Sequence, residues 1–323
     1  MLIESYLSGR KQTVRVNGVC SRFSANKYGV PQGSILGPLL FLIYVNDMPN
    51  ISSNFTPYLF ADDTTLCFRG ENIASLVELC NVELRMFSEW CIGNRLTLNL
   101  DKTFCIAVTN RNISYDFQVC INDHSLRVET SGRFLGVIFD SKLKFKEHTQ
   151  VISKKISRSI GIMYRLRNFL PRTTMTSLYY SLVFPYLNYC IQVWGKTYQY
   201  HLRKIEILQK RAIRIVNNAE YYSHTLPLFK LSRVLKFPDI YKFSVAVYMY
   251  KNSSDDQFTR LHSYNTRGRD NLLSGFQRLT VTQQSLTFRG PNIWNNIPDE
   301  VKDQPNIKLF KKYLKKYLLD SYE

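Results

Sequence analysis

Tyr58-Leu59-Phe60-Ala61-Asp62-Asp63-Thr64-Thr65-Leu66 sets two consecutive carboxylates between two short apolar runs. The pattern predicts a strand over 57–61, a tight turn and a strand over 64–68, with the acids at the bend. Adjacent acids repel, and the pair costs free energy unless water, a cation or a donor compensates it. Magnesium suits one or two carboxylates whose remaining positions go to water and phosphate oxygens. Taken alone the pair also reads as a solvated hairpin turn, which Asp favours in its own right. The neighbouring sequence decides between the two.

Upstream runs Gly29-Val30-Pro31-Gln32-Gly33-Ser34-Ile35-Leu36-Gly37-Pro38-Leu39-Leu40-Phe41-Leu42-Ile43-Tyr44-Val45-Asn46-Asp47-Met48. The glycines allow close backbone approach to a ligand. Ser34 is placed to cap a helix whose first turn tolerates Pro38. That helix is apolar nearly all round and is therefore predicted to be buried.

In this order and at this short separation, the loop, the helix and the Phe-Ala-Asp-Asp hairpin resemble the palm of a non-LTR retrotransposon reverse transcriptase of the LINE-like, jockey type. The resemblance implies an α+β fold. It comprises a truncated polymerase palm (antiparallel sheet with helices) over 1–145, a mainly helical basic thumb over 146–219 and a C-terminal helical region over 220–323. It implies an RNA-directed DNA polymerase that uses Mg2+ (or Mn2+), an RNA template, a DNA primer and deoxynucleoside triphosphates. Asp62 and Asp63 correspond to the catalytic metal ligands, Asp62 the stronger. Gln32, Gly33 and Ser34 correspond to residues bordering the incoming nucleotide and template. The Asn94–Thr103 segment resembles the next motif, in which Lys102 stands where a lysine is proposed to protonate the pyrophosphate; a surface lysine before a strand over 104–108 is the other reading. Phe134-Leu135-Gly136-Val137-Ile138-Phe139-Asp140 resembles the primer-grip strand, with Leu135 and Gly136 at the grip.

Charge is distributed unevenly. The formal net charge is +18, yet residues 1–140 hold 12 basic and 13 acidic residues while 141–323 hold 31 and 12. A nearly neutral half joined to a strongly basic one points to a site-bearing part and a polyanion-binding part. Seven cysteines without C-x-x-C spacing predict reduced thiols in an intracellular protein of the nucleus or cytoplasm, and five unclustered histidines give no zinc motif. The longest apolar run, 39–45, is far too short to span a bilayer, so no integral membrane association is expected.

Along the chain, a helix end before Gly9 and an Asn17-Gly18 hairpin open the sequence. Apolar residues from Ile73 to Cys91 recur at helical spacing, predicting a helix over about 72–92, and Asn122-Asp123 predicts a further hairpin between 117–121 and 125–128. Ile152, Ile156, Ile160 and Met163 form an apolar helical stripe, with Lys154, Lys155, Arg158, Arg165 and Arg167 mainly at other positions. Residues 175–186 and 202–216 repeat the design, the latter with Lys210, Arg211 and Arg214. A merely solvated face mixes signs, so these helices are expected to bind phosphate backbones. Gly195-Lys196-Thr197 ends like a phosphate-binding loop, but Cys190 stands where its first glycine is required. His262–Arg267 and Phe288–Pro298 resemble C-terminal segments of the same retrotransposon proteins, with no chemistry attached. A closing helix carries Phe310, Leu314 and Leu318 on one face and lysines on the other. It is expected to pack on the thumb rather than bind phosphate or an anionic membrane surface.

Tyr6-Leu7-Ser8-Gly9-Arg10 resembles the residues that follow the family's first palm motif, a strand whose aspartate holds both metals. That strand is expected upstream of Met1, completed by an upstream segment or a second chain, which leaves this chain catalytically crippled by itself. The alternative is a non-catalytic nucleic-acid-binding remnant that uses the basic half alone.

Overall fold

The computed structural model describes residues 2–26, 28–114, 116–252, 258, 271–273 and 275–322; the expected C-terminal segment His262–Arg267 lies outside them. Packing divides the chain into two compact units, Met1–Cys105 with Asn112–Glu129, and Ile106–Arg111 with Thr130–Glu323. Helices mix with short strand pairs, six two-stranded sheets among the described residues. The functional division into palm, thumb and C-terminal region concerns roles; contacts group residues 130–145 with the helices that follow them.

In the first unit the Ile73–Gly93 helix begins where Asn72 caps it, the side chain accepting from the Ala74 N–H at 2.8 Å. Its stripe feeds two small cores. Phe87 and Cys91 meet Val45 and Met48; Leu84 meets Val119, Ile121 and Leu126. The hairpin Phe55–Phe60/Asp63–Phe68 is tied to both, with Leu66 packed against each of them, Leu59 against the first and Phe68 against the second. The Asn17-Gly18 hairpin forms with both turn residues at positive φ, 49° and 86°, as a two-residue turn of this kind demands.

Several expectations are corrected. The apolar Leu36–Tyr44 helix buries only Gly37, while Leu39, Leu42 and Ile43 are more than half exposed. A helix that is apolar all round needs cover on every side, and the described residues supply it on one, where Phe41 packs against the first core. The strand expected over 104–108 is only Phe104–Cys105, paired in parallel with Arg127–Val128. Residues 134–140 are not one strand: Ser131–Phe134 and Val137–Asp140 pair antiparallel about a Leu135-Gly136 turn. The helix expected over 175–186 is broken into Arg172–Leu182 and Phe184–Asn188, because Pro185 has no N–H to continue the ladder.

The second unit has one large core. The Lys146–Leu166 and Gln199–Val216 helices pack along each other, burying Ile156, Ile160 and Met163 against Ile205, Ala212 and Ile213. Trp194 and Tyr179 lie fully inside. Buried Gln209 satisfies three groups at once: its Nε2 donates to the Tyr179 hydroxyl and the Leu235 carbonyl, each at 2.9 Å, and its Oε1 accepts from the Phe237 N–H at 2.7 Å. The closing Ile307–Asp320 helix buries Phe310, Leu314 and Leu318 in this core. Tyr322 then reaches back, accepting from the Lys236 N–H and donating to Asp239 Oδ2 at 2.7 Å.

His148, 4% exposed, accepts the Ile138 N–H at its Nδ1 while Nε2 is buried without a partner. Burial first, then Lys155 and Arg133, pull its pKa down from 6.5 to about 4. The fold thus holds it neutral, and the unfolded chain protonates first as pH falls. The stability it contributes is complete above pH 6.5 and lost as pH drops towards 4, up to about 3 kcal/mol. Denaturant titrations between pH 7 and 4 should show this decline, and His148→Gln should flatten it.

Candidate functional site

The twin acids stand at the tip of a hairpin whose register leaves only Ala61 and Asp62 unpaired, with Phe60 opposite Asp63. Ala61 has φ 52°, the left-handed region that an L side chain enters at a cost. Asp62 and Asp63 are both exposed, and the side chains that anchor the hairpin lie along its strands. Two hard carboxylate donors suit Mg2+, which takes one or two carboxylates and keeps water or phosphate on its other positions. Among the described residues no third His, Cys, Asp or Glu joins them in a metal-holding group. The donor chemistry fits one such ion, and a second would need a further acid.

The preceding loop belongs to the same unit. Gln32 and Gly33 are exposed, and Gly33 has φ 78° with open space where a Cβ would lie. Ser34 is engaged structurally: its Oγ donates to the Pro31 carbonyl at 2.7 Å and accepts from the Gly37 N–H at 3.1 Å, tying the loop to the first turn of the apolar helix, whose N-cap position is Ile35 rather than the expected Ser34. Ile35, Leu39, Leu42, Ile43, Tyr58 and Phe60 are each exposed in this unit. Lys102 is exposed too, and its backbone N–H donates to Asn99 Oδ1 at 3.2 Å in the turn before Phe104.

The remaining candidates lie in the second unit. Leu135 and Gly136 have φ 45° and 83° and form the tip of a hairpin. The Tyr189 hydroxyl donates to the Leu135 carbonyl at 2.6 Å, and a Cβ on Gly136 would sit 3.4 Å from the Tyr189 ring. Tyr189 thus holds the turn; nothing local in the sequence pointed to it. Lys154, Lys155, Arg158 and Arg165 are exposed on the Lys146–Leu166 helix. At about 100° per residue, positions 154, 158 and 165 fall within roughly 40° of one another, a single cationic edge. Arg167 lies over the Tyr164 ring at 4.4 Å and Lys155 over Tyr186 at 5.4 Å, which stiffens both cations. Lys210 and Arg211 are exposed, whereas Arg214 is committed, its Nε donating to the Ser223 carbonyl at 2.9 Å.

Residues 1–139 match the family model described as reverse transcriptase (RNA-dependent DNA polymerase). The chain is also similar to the RNA-directed DNA polymerase from mobile element jockey of Drosophila funebris, 32% identical over 235 residues, covering 69% of this chain and 25% of the relative. Residues 1–139 thus carry a reverse transcriptase match, and most of the chain is similar to the RNA-directed DNA polymerases of non-LTR retrotransposons. The jockey polymerase of Drosophila melanogaster is 28% identical over 249 residues (74% of this chain, 27% of the relative). The probable RNA-directed DNA polymerase from transposon X-element of the same species is 26% identical over 285 residues (86% and 30%). The chain thus spans between a quarter and a third of the length of these reverse transcriptases. No solved structure matches it significantly.

In the segment that matches the reverse transcriptase family, the strained turn can be tested directly. Ala61→Gly should stabilise the chain by about 1 kcal/mol, because glycine adopts φ 52° freely, while Ala61→Val should destabilise it by a similar amount. Thermal unfolding in metal-free buffer reads both.

Proposed function

We propose that this chain supplies the twin-carboxylate part of an RNA-directed DNA polymerase site, together with the cationic helices that hold its nucleic acid. The observation that carries the reading is the exposure of Asp62 and Asp63 at a tight hairpin tip within the segment that matches the reverse transcriptase family. Asp62 and Asp63 would hold Mg2+, which when bound neutralises charge on the reacting phosphates. The open space at Gly33 offers room for a nucleotide and template, with Ser34 fixing the loop onto its helix. Lys102, exposed before Phe104, would place a proton on the departing pyrophosphate. The Leu135-Gly136 turn, held by Tyr189, would support the primer end.

Two acids alone do not hold a pair of ions, so the site needs a further carboxylate-bearing strand, from a segment beyond this chain or from a second chain. The exposed apolar side chains of the Leu36–Tyr44 helix, Leu39, Leu42 and Ile43, are of the kind such a segment would cover. By itself, then, the chain is a poor polymerase. Primer extension by the purified chain with an RNA template, a DNA primer, deoxynucleoside triphosphates and Mg2+ should give no template-dependent product. Robust synthesis would overturn the need for a completing strand.

A second reading, favoured by the single cationic edge of the Lys146–Leu166 helix, is nucleic-acid binding without catalysis. It predicts contacts to phosphates rather than bases, with affinity falling roughly tenfold or more between 50 and 200 mM salt. Charge reversal at Arg158 and Arg165 should weaken binding about equally for every sequence, as read by fluorescence anisotropy. Affinity indifferent to salt would eliminate it.

A further inference from the structure

Two stretches remain outside the polymerase reading: Gly195-Lys196-Thr197, which lacks the first glycine of a phosphate-binding loop, and the C-terminal Phe288–Pro298 segment. Folding brings them to one cavity of about 260 Å³ inside the second unit, walled by the Gln199–Val216, Phe237–Asn252 and Leu286–Asn295 helices. Glycines let the walls approach. A Cβ on Gly195 would lie 2.5 Å from the Ile191 carbonyl and 2.9 Å from the Tyr241 ring, and one on Gly290 would strike Met249 Sδ at 2.5 Å.

The wall is rich in donors and cations. Lys196, Lys242 and Arg289 face it against one carboxylate, Glu206, whose Oε1 already accepts from Gln199 Nε2 at 2.9 Å. Lys242 is shared with Asp239 at 3.0 Å, while Lys196 and Arg289 make no ion pair with any described carboxylate. Tyr241 is 4% exposed, yet its hydroxyl has no hydrogen-bond partner, and Arg289 Nε is likewise buried and unpartnered. Orphaned buried donors are costly, and such groups call for a ligand, ion or water. Burial first, then Arg289 and Lys242, lower the Lys196 amine from its usual value, as crowding of cations requires. Burial pushes the Tyr241 hydroxyl up to about 12, so it stays a donor.

We propose that this cavity binds a phosphate monoester, the charged end of a nucleotide or of a 5′-phosphorylated strand. A phosphate monoester carries roughly −1.5 to −2 charge and three acceptor oxygens, matching two unpaired cations and two orphaned donors. A carboxylate, with one charge and two oxygens, would leave part of that set unanswered. The volume sits just below the ~300–1,000 Å³ range of small-molecule pockets, enough for a phosphorylated sugar rather than a dinucleotide. The inference rests on the second unit alone, so it stands or falls separately from the polymerase reading.

The test titrates the full 323-residue chain with two matched pairs of probes. One pair is a 3′-labelled oligonucleotide with a 5′-phosphate or a 5′-hydroxyl; the other is deoxyadenosine 5′-monophosphate or deoxyadenosine. The phosphate-bearing member of at least one pair should bind about tenfold tighter, the worth of one charge-assisted hydrogen bond. Arg289→Gln should abolish that advantage. Tyr241→Phe should reduce it several-fold at an unlowered melting temperature, a change that unspecific charge attraction would not produce because the charge is untouched. An advantage confined to the oligonucleotide assigns the site to strand ends, and one shown by the monophosphate assigns it to free nucleotide. Equal binding within both pairs, or an advantage that survives either substitution, overturns the proposal.

Discussion

Two carboxylates on neighbouring residues, Asp62 in the turn and Asp63 opening the return strand, cannot move apart, and this constraint organises the first unit. The hairpin that carries Asp62 and Asp63 is held from below by Leu59, Leu66 and Phe68, which commit it to two small cores on the Ile73–Gly93 helix. Its tip is left to solvent, with Ala61 bent into the left-handed region to make the turn. Apolar anchoring fixes where the charges stand, and nothing among the described residues neutralises them. A cation does so at no cost in packing, because the oxygens already point into water. The chemistry of the site follows from that arrangement more than from any single residue around it.

The second unit solves a different problem, keeping many like charges on well-packed helices. Each basic helix surrenders its apolar stripe to one shared core centred on Trp194, Tyr179 and Ile156, which leaves the cations nowhere to go but outward. Gln209 is the polar pin of that core, satisfying a hydroxyl, a carbonyl and an N–H that would otherwise be orphaned. Charged side chains that the core cannot use are then available for phosphates, some of them stiffened over tyrosine rings. Arg214 is the exception, spent on the Ser223 carbonyl.

Much of this was legible in the sequence where the signal is local. The twin-acid hairpin, the Asn17-Gly18 turn and the Ile73–Gly93 helix announce themselves through alternation, turn chemistry and 3.6-residue periodicity. The break at Pro185 was also written locally, but the apolar stripe running through it masks the stop. The Leu135-Gly136 turn was hidden for the opposite reason: Leu at φ 45° is no turn former, and a distant tyrosine holds it there. Burial of the Leu36–Tyr44 helix could not be read, since hydrophobicity states what a helix needs and not what is present to cover it. The donor-lined cavity escaped for a similar reason, being built from residues as far apart in the chain as Gly195 and Asn296.

The central claim is that a divalent cation belongs at the Asp62–Asp63 tip. Titration of the isotopically labelled chain with Mn2+ tests it through paramagnetic broadening of backbone amide resonances. Broadening should begin at residues 60–64, be displaced by Mg2+ and disappear in Asp62→Asn. Broadening that spares the hairpin, or persists there unchanged in Asp62→Asn, would contradict it.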